Sequence, residues 1–299
     1  MKTRKVYLHV GTEKTGTTAF QRNLHKNLAN LEANNIKLYT EPGRKNIRKI
    51  PFAFQNKDLV DDYVMEYILP LNYSIQIEQK RIKVELQEIF NAFSSYDFLI
   101  SGEHFHSRLI TEENIDELFR FLRQFFDEIH VIIVFRNPNE MAPAYYSTLL
   151  KKGHYITVED FICRKLSKEY FDVSYIYDIW SANTDIIDIY WFDDVKNDIK
   201  KLCGSLNLQH TDLHFDTRRD NQSLGFWGMS ILLNINKYFP VYTKSNSFHN
   251  PYLIRKLRAF IIKFSTLFER RYKVKIDRTR LRNYENNYEN LVRKKRKIK

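Results

Sequence analysis

The sequence predicts an α/β fold: a parallel sheet flanked by helices, with additional C-terminal helices. Three observations carry that expectation. Residues 5–24, KVYLHVGTEKTGTTAFQRNL, read as a strand, a glycine-bounded turn and the start of a helix. Residues 129–135, IHVIIVF, form the most continuous β-branched run in the chain, the pattern of a central parallel strand. Around these runs, strand-like stretches alternate with stretches whose apolar residues recur at helical spacing.

In the first stretch Val6, Leu8 and Val10 alternate with Tyr7 and His9 until Gly11 ends the run. From Thr15 onward the residues suit a helix, with Phe20, Leu24 and Leu28 spaced by four on one face. A strand, a glycine turn and a helix N-terminus make an anion site, because unpaired N–H groups and the helix dipole meet there. The usual P-loop is G-x-x-x-x-G-K-[ST]. Here the string is Gly11-Thr12-Glu13-Lys14-Thr15-Gly16-Thr17-Thr18, so the lysine lies inside the loop and Thr17 stands in its usual place. A nucleotide hydrolase needs lysine and Mg²⁺ on the β- and γ-phosphates. This loop instead offers one cation and hydroxyls to a smaller anion.

Composition sets the frame. A chain of 299 residues can bury a large core as one α/β domain or two smaller ones. With no internal repeat or clear linker, the simplest organisation is a single domain over 1–299 with a helical extension from about 250. Hydrophobic content is 43%, and no apolar run approaches the ~20 residues of a membrane span, which predicts a soluble protein. The start, MKTRKVYLHV, enters the first strand too soon for a signal peptide. Cys163 and Cys203 have neither metal-ligand spacing nor a disulfide framework, so a reducing, cytoplasmic setting is expected. The net charge of +12 calls for an anionic partner without choosing among nucleotide, sulfated glycan, acidic lipid and nucleic acid. No nucleic-acid-binding module is recognisable, so nucleic acid is not expected.

In order, residues 35–39 predict a second strand and 40–51 a loop. The four cations of that loop, Arg44, Lys45, Arg48 and Lys49, suit either an acceptor-binding role or a solvated basic loop. Helices are predicted at 58–69 and 75–93, the second apolar at Ile82, Leu86, Ile89 and Phe93. Residues 96–101 predict a strand that ends in Gly102-Glu103-His104, and residues just beyond a strand are favoured for chemistry in open α/β sheets. Thr111 should cap a helix that buries Ile115, Leu118, Phe119, Leu122, Phe125 and Phe126.

After the 129–135 strand comes Arg136-Asn137-Pro138, a cation where a Walker-B strand would end in an acid for magnesium. Two short helices are predicted in 157–182, a strand at 186–192, and a helix from Asp193-Asp194 to near Leu206, where the acids serve equally as caps. Leu253, Ile254, Leu257, Phe260, Ile261, Phe264, Leu267 and Phe268 make a wide helical stripe with cations opposite. That helix either covers the domain's own core or lies on an anionic membrane. Residues 278–291 read as helical, and the tail RKKRKIK as frayed.

The loop and the Arg136 segment together resemble the sulfotransferases that use 3′-phosphoadenosine 5′-phosphosulfate (PAPS). Their 5′-phosphosulfate loop, about P-K-[ST]-G-T-[TS], is matched by Lys14, Thr15, Gly16, Thr17 and Thr18, with Glu13 in place of the proline. The form H-V-G-T-x-K-T-G-T-T is similar to the bacterial carbohydrate-sulfotransferase-like branch. RNPNEMAPAYYSTLLKKG resembles the 3′-phosphate motif R-x-P-x-x-x-x-x-S-x-Y through Arg136, Pro138, Tyr146 and Gly153. Ala144 replaces that motif's serine, and Ser147 lies one helical turn later.

The resemblance spans about residues 5–225. It implies a P-loop-like sheet, PAPS as co-substrate without a metal, and sulfuryl transfer to a hydroxyl or amine of a saccharide acceptor. Thr12, Lys14, Thr15, Gly16, Thr17 and Thr18 would bind the 5′-phosphosulfate end. Arg136, Ser147, Arg218 and Arg219 would bind the 3′-phosphate. Lys14 would also be catalytic, with Glu103 the expected base and His104 the second choice. Two other readings compete: a P-loop small-molecule kinase, opposed by the displaced lysine, and a catalytically lapsed nucleotide- or glycan-binding protein, favoured by Ala144.

Overall fold

The computed structural model describes residues 3–42, 47–206, 215, 224–241, 252–268, 276 and 279–296. The elements run β1 (Lys5–Gly11), α1 (Thr17–Lys26), α2 (Leu28–Ala33), β2 (Ile36–Leu38), α3 (Lys49–Phe54), a π-helical turn (Val64–Ile68) and α4 (Ile75–Ala92). Next come β3 (Asp97–Gly102), α5 (His104–Arg108), α6 (Glu112–Leu122), β4 (Glu128–Phe135), α7 (Pro138–Lys151), α8 (Val158–Lys165), α9 (Lys168–Phe171) and α10 (Val173–Ser181). The chain continues through β5 (Ile186–Trp191), α11 (Phe192–Val195), a 3₁₀ segment (Ile199–Leu206), α12 (Phe226–Tyr238), α13 (Tyr252–Phe268) and α14 (Arg282–Arg296). They divide into two compact units, one of residues 1–136 and 173–220, the other of 137–172 and 221–299.

The first unit holds the sheet, parallel throughout, in the order β2-β3-β1-β4-β5. This is the predicted α/β arrangement. The strand that follows the N-terminus is central because β1 and β4 are apolar on both faces and need cover on both. Register fixes what the edge of the sheet presents. Val10 pairs with Gly102 and Gly11 with Val134, so β1, β3 and β4 end side by side. The loops opening at Thr12, Glu103 and Arg136 therefore leave from one edge, at the reversal of strand order where such sheets bind ligands.

Local structure departs from the sequence reading in several places. Asn27 interrupts the first helix, and Leu28 is 38% exposed while Leu31 takes the buried position. Residues 49–54 are helical rather than loop. Pro51 falls in the first turn, where its missing N–H breaks no bond, and Ile50, Phe52, Ala53 and Phe54 are buried. In α4 the buried face runs through Ile82, Leu86 and Phe90, leaving Phe93 exposed. Thr111 does cap α6, accepting from the Asn114 N–H at 3.4 Å, but Phe121 is buried with the predicted set and Phe125 only half-buried. Residues 157–182 hold three helices, and the stretch from Asp193 to Leu206 is a short α-turn followed by 3₁₀ structure.

One side chain ties several of these elements together. The Arg4 guanidinium donates to the carbonyls of Phe90 (2.7 Å), Phe93 (3.1 Å), Tyr96 (2.9 Å) and Phe125 (2.9 Å). It also lies 4.4 Å over the Phe126 ring. One residue ahead of β1 thereby gathers carbonyls from the last turn of α4 and from the segments that follow α4 and α6.

The second unit packs α7, α8, α9, α12 and α14 around Tyr146, Phe161, Phe171 and Leu232. Helix α7 ends in a Schellman turn: Gly153 N–H bonds Leu150 O at 3.0 Å and His154 N–H bonds Leu149 O at 3.0 Å. Gly153 has φ 90°, and a Cβ there would meet Val241 Cγ2 at 2.1 Å. Helices α12 and α13 are antiparallel. Gly228, near the start of α12, lies against Ser265, near the end of α13, while Arg258 donates to Asn236 Oδ1 at 3.1 Å and to the Phe239 carbonyl.

Candidate functional site

The loop between β1 and α1 is held by its own side chains. Thr12 Oγ1 donates to Val134 O at 2.6 Å, and Thr15 Oγ1 donates to Thr12 O at 2.5 Å. Two of the threonines expected to face the anion thus spend their hydroxyl protons shaping the turn. Lys14 is left-handed, φ 70°, a conformation costly for a residue with a Cβ, and Gly16 follows at φ 84°. Arg136 Nη1 donates to the Lys14 carbonyl at 2.9 Å, fixing the strained residue from the end of β4. Its guanidinium also lies 4.6 Å over the Phe192 ring.

This turn leaves donors without acceptors. Gly16 is the N-cap of α1 and supplies no side chain, so among the described residues the N–H groups of Gly16, Thr17 and Thr18 meet no protein acceptor. Thr17 Oγ1 is buried without a partner. A Cβ at Gly11 would lie 2.1 Å from that oxygen, so the glycine makes room for it. The Lys14 ammonium likewise has no partner among the described residues. An orphaned buried hydroxyl, a helix N-terminus and a cation converge on one short loop. That donor set fits a phosphate- or sulfate-sized anion.

Beside the loop, β3 ends at Ser101 and Gly102. His9 Nδ1 and Ser101 Oγ are 2.8 Å apart, and Gln21 of α1 donates to Ser101 O at 2.6 Å. Glu103 is the N-cap of α5 and is partly exposed. His104 is buried, and Arg48 Nε donates to its Nε2 at 3.3 Å. Burial, reinforced by the charges of Arg108 and Arg48, holds His104 down at about 3. The ring is neutral with its proton on Nδ1 and its lone pair engaged, a poor proton acceptor.

Three further residues of this edge, Arg108, Asp61 and Asp62, escaped the sequence reading. Arg108 bonds Asp61 and, at 3.0 Å, Asp62; Arg48 bonds Asp62 at 2.6 Å. Burial opposes the Arg108 charge, but Asp61 and Asp62 overcome it and raise its pKa. The charge of Glu13, the loop residue that replaces the expected proline, acts on both His104 and Arg108. Lys49 pairs with Glu85 at 2.6 Å. The two described cations of the predicted basic loop are therefore both in ion pairs. Adjacent Asp61-Asp62 downstream of that loop was the available sequence signal.

Ser147 belongs to the second unit, is buried, and accepts from the Leu224 N–H at 2.9 Å. Ala144 is buried in α7, and Tyr146 donates to Ile156 O at 3.1 Å. Arg218 and Arg219 lie outside the described residues, as do Arg44 and Lys45.

Two consequences of this packing are measurable. His9, like His104, is held at about 3, by burial alone. Both take up protons in the unfolded chain near their ordinary 6.5 but not in the folded one, so the unfolded state binds more protons below that pH. Stability should be full above about 6.5 and fall as pH drops toward 3, by up to about 1.4 kcal/mol per pH unit for each histidine. Urea midpoints that stay flat from pH 7 to 4 would refute this. Removing Arg108 should take the cation that bridges two half-buried carboxylates, leaving Arg48 on Asp62 and the Val64 N–H on Asp61. Arg108→Leu is expected to lose about 3–5 kcal/mol in urea unfolding; a loss under about 1 kcal/mol would mark the pair as solvent-screened.

No family model matches the chain, and no curated protein does. Similar solved structures include a sulfotransferase from Alicyclobacillus acidocaldarius, at TM-score 0.43 and 14% identity over 74% of this chain and 87% of that one. A structure from the PezAT chromosomal toxin-antitoxin system of Streptococcus pneumoniae gives 0.35 and 15%, over 80% and 86%. The sulfotransferase domain from the curacin biosynthetic pathway gives 0.35 and 10%, over 89% and 98%. Likeness at this level decides nothing about chemistry, which has to be argued from the site.

Proposed function

We propose that the chain is a sulfotransferase that moves a sulfuryl group from PAPS to a hydroxyl or amine, with a saccharide as acceptor. The observation that carries this is the loop's donor set: a cation at Lys14, the buried unpartnered Thr17 hydroxyl and the open N–H groups of α1, with threonine in the position of a Walker lysine. When bound, PAPS supplies the sulfuryl group and a nucleotide bisphosphate leaving group. Lys14, Thr17 and the N–H groups of Gly16, Thr17 and Thr18 would hold the oxygens on which charge builds. Arg136, fixed to the same loop through the Lys14 carbonyl, would hold the 3′-phosphate. Glu103 would take the acceptor's proton, since it is partly exposed at the same sheet edge while His104 has its lone pair engaged. The saccharide follows from the likeness of the His9–Thr18 string to the bacterial carbohydrate branch.

Calorimetric titration with adenosine 3′,5′-bisphosphate and, separately, ATP tests the reading. Tighter bisphosphate binding that needs no divalent metal is expected. Tighter ATP binding would turn it into a kinase, and bisphosphate binding without transfer to any saccharide would make it a lapsed member.

A further inference from the structure

We infer that α12 and α13 form a docking face for an anionic lipid surface. Each helix buries one side and leaves an apolar stripe open. On α13 the stripe is Leu253, Leu257, Phe260 and Phe264, spaced four, three and four; Leu253 is 77% and Phe260 65% exposed. On α12 it is Trp227, Ile231 and Tyr238, with Trp227 61% and Tyr238 71% exposed. Phe260 and Phe264 stack on each other with ring centroids 6.0 Å apart.

The two stripes point the same way. At about 100° per residue, each lies about 120° around its helix from the residues that touch the other helix, Gly228 and Asn236 on α12 and Arg258 and Ser265 on α13. Because the helices are antiparallel, rotations of the same hand about the two axes bring both stripes to one side of the pair. The result is a two-helix aromatic surface, not a single seam.

Charge selects the occupant. Neither helix contains an Asp or Glu, while α13 exposes Arg255, Lys256 and Lys263 and α12 exposes Lys237. Lys256 and Lys263 stand seven residues apart along one border of the α13 stripe. Long basic side chains bordering Trp, Phe and Leu suit the boundary between headgroups and acyl chains. A second copy fits less well. Paired stripe to stripe, it would set these lysines against the same lysines or against Ile254 and Ile261, since neither helix carries an acid to meet them.

The test is flotation of the full chain with vesicles of phosphatidylcholine alone or mixed with phosphatidylserine, read alongside tryptophan quenching. Binding to the anionic vesicles only, weakened by salt, is expected. Of the three tryptophans Trp180 and Trp191 are buried, so protection from iodide on binding would belong to Trp227. Leu253→Ser with Phe260→Ser, at exposed positions, should reduce vesicle affinity about tenfold or more, as should Lys256→Glu with Lys263→Glu, with adenosine 3′,5′-bisphosphate binding unchanged. Absence of binding, equal binding to neutral vesicles, or a dimer that the Leu253/Phe260 variant dissociates would overturn the assignment. None of these outcomes depends on sulfuryl transfer.

Discussion

Lys14→Ala is expected to lower kcat by roughly 10²–10³-fold, about 2.7–4 kcal/mol, with adenosine 3′,5′-bisphosphate affinity nearly unchanged. The ammonium is the only charge the loop itself offers to the departing oxygens, because Glu13 is acidic and the threonines are neutral. Its effect belongs to the transition state, where negative charge grows, more than to the bound ground state. The fold should tolerate the change, since Lys14 is partly exposed and its ammonium makes no hydrogen bond or ion pair among the described residues. Loss confined to the Michaelis constant would assign Lys14 to binding alone, and wild-type turnover would remove the loop from the reaction.

Glu103→Gln should cost 10²–10⁴ in turnover and spare nucleotide affinity, because the amide keeps the size of the carboxylate and cannot take a proton. His104→Asn should act differently. With Arg48 bound to its ring and burial keeping it neutral, the histidine works as packing and hydrogen-bond frame, so that variant should lose stability before it loses rate. A dead His104→Asn enzyme of normal stability, beside an active Glu103→Gln, would exchange the two assignments.

The elements legible in the sequence were those specified locally. β1 and β4 announce themselves by alternation and by a β-branched run, and Thr111 by a capping hydroxyl ahead of two glutamates. The glycine loop was equally plain, but which of its hydroxyls remain open was not. Thr12 and Thr15 close the turn through carbonyls, one of them on β4, and Thr17 is left buried and unpaired. Non-local pairing hid the rest. Arg108 and Asp61 are 47 residues apart, and no spacing rule connects them. Arg48 and Lys49 suggested a basic surface because their partners, Asp62 and Glu85, come from other segments. Helix α3 was obscured by Pro51, which breaks a helix interior but not a first turn.

The central place of β1 has a bearing on synthesis. Its two neighbours, β3 and β4, begin at Asp97 and Glu128. About ninety residues must leave the ribosome after Gly11 before the first partner strand is whole, which at 5–20 residues per second is about 5–20 s. During that interval KVYLHVG is a nascent apolar strand with both edges unpaired, and Arg4 beside it lacks the carbonyls it later gathers. The segment that seats the glycine loop is thus enclosed long after it is made, and a holdase that grips short apolar stretches would have that whole interval in which to bind it.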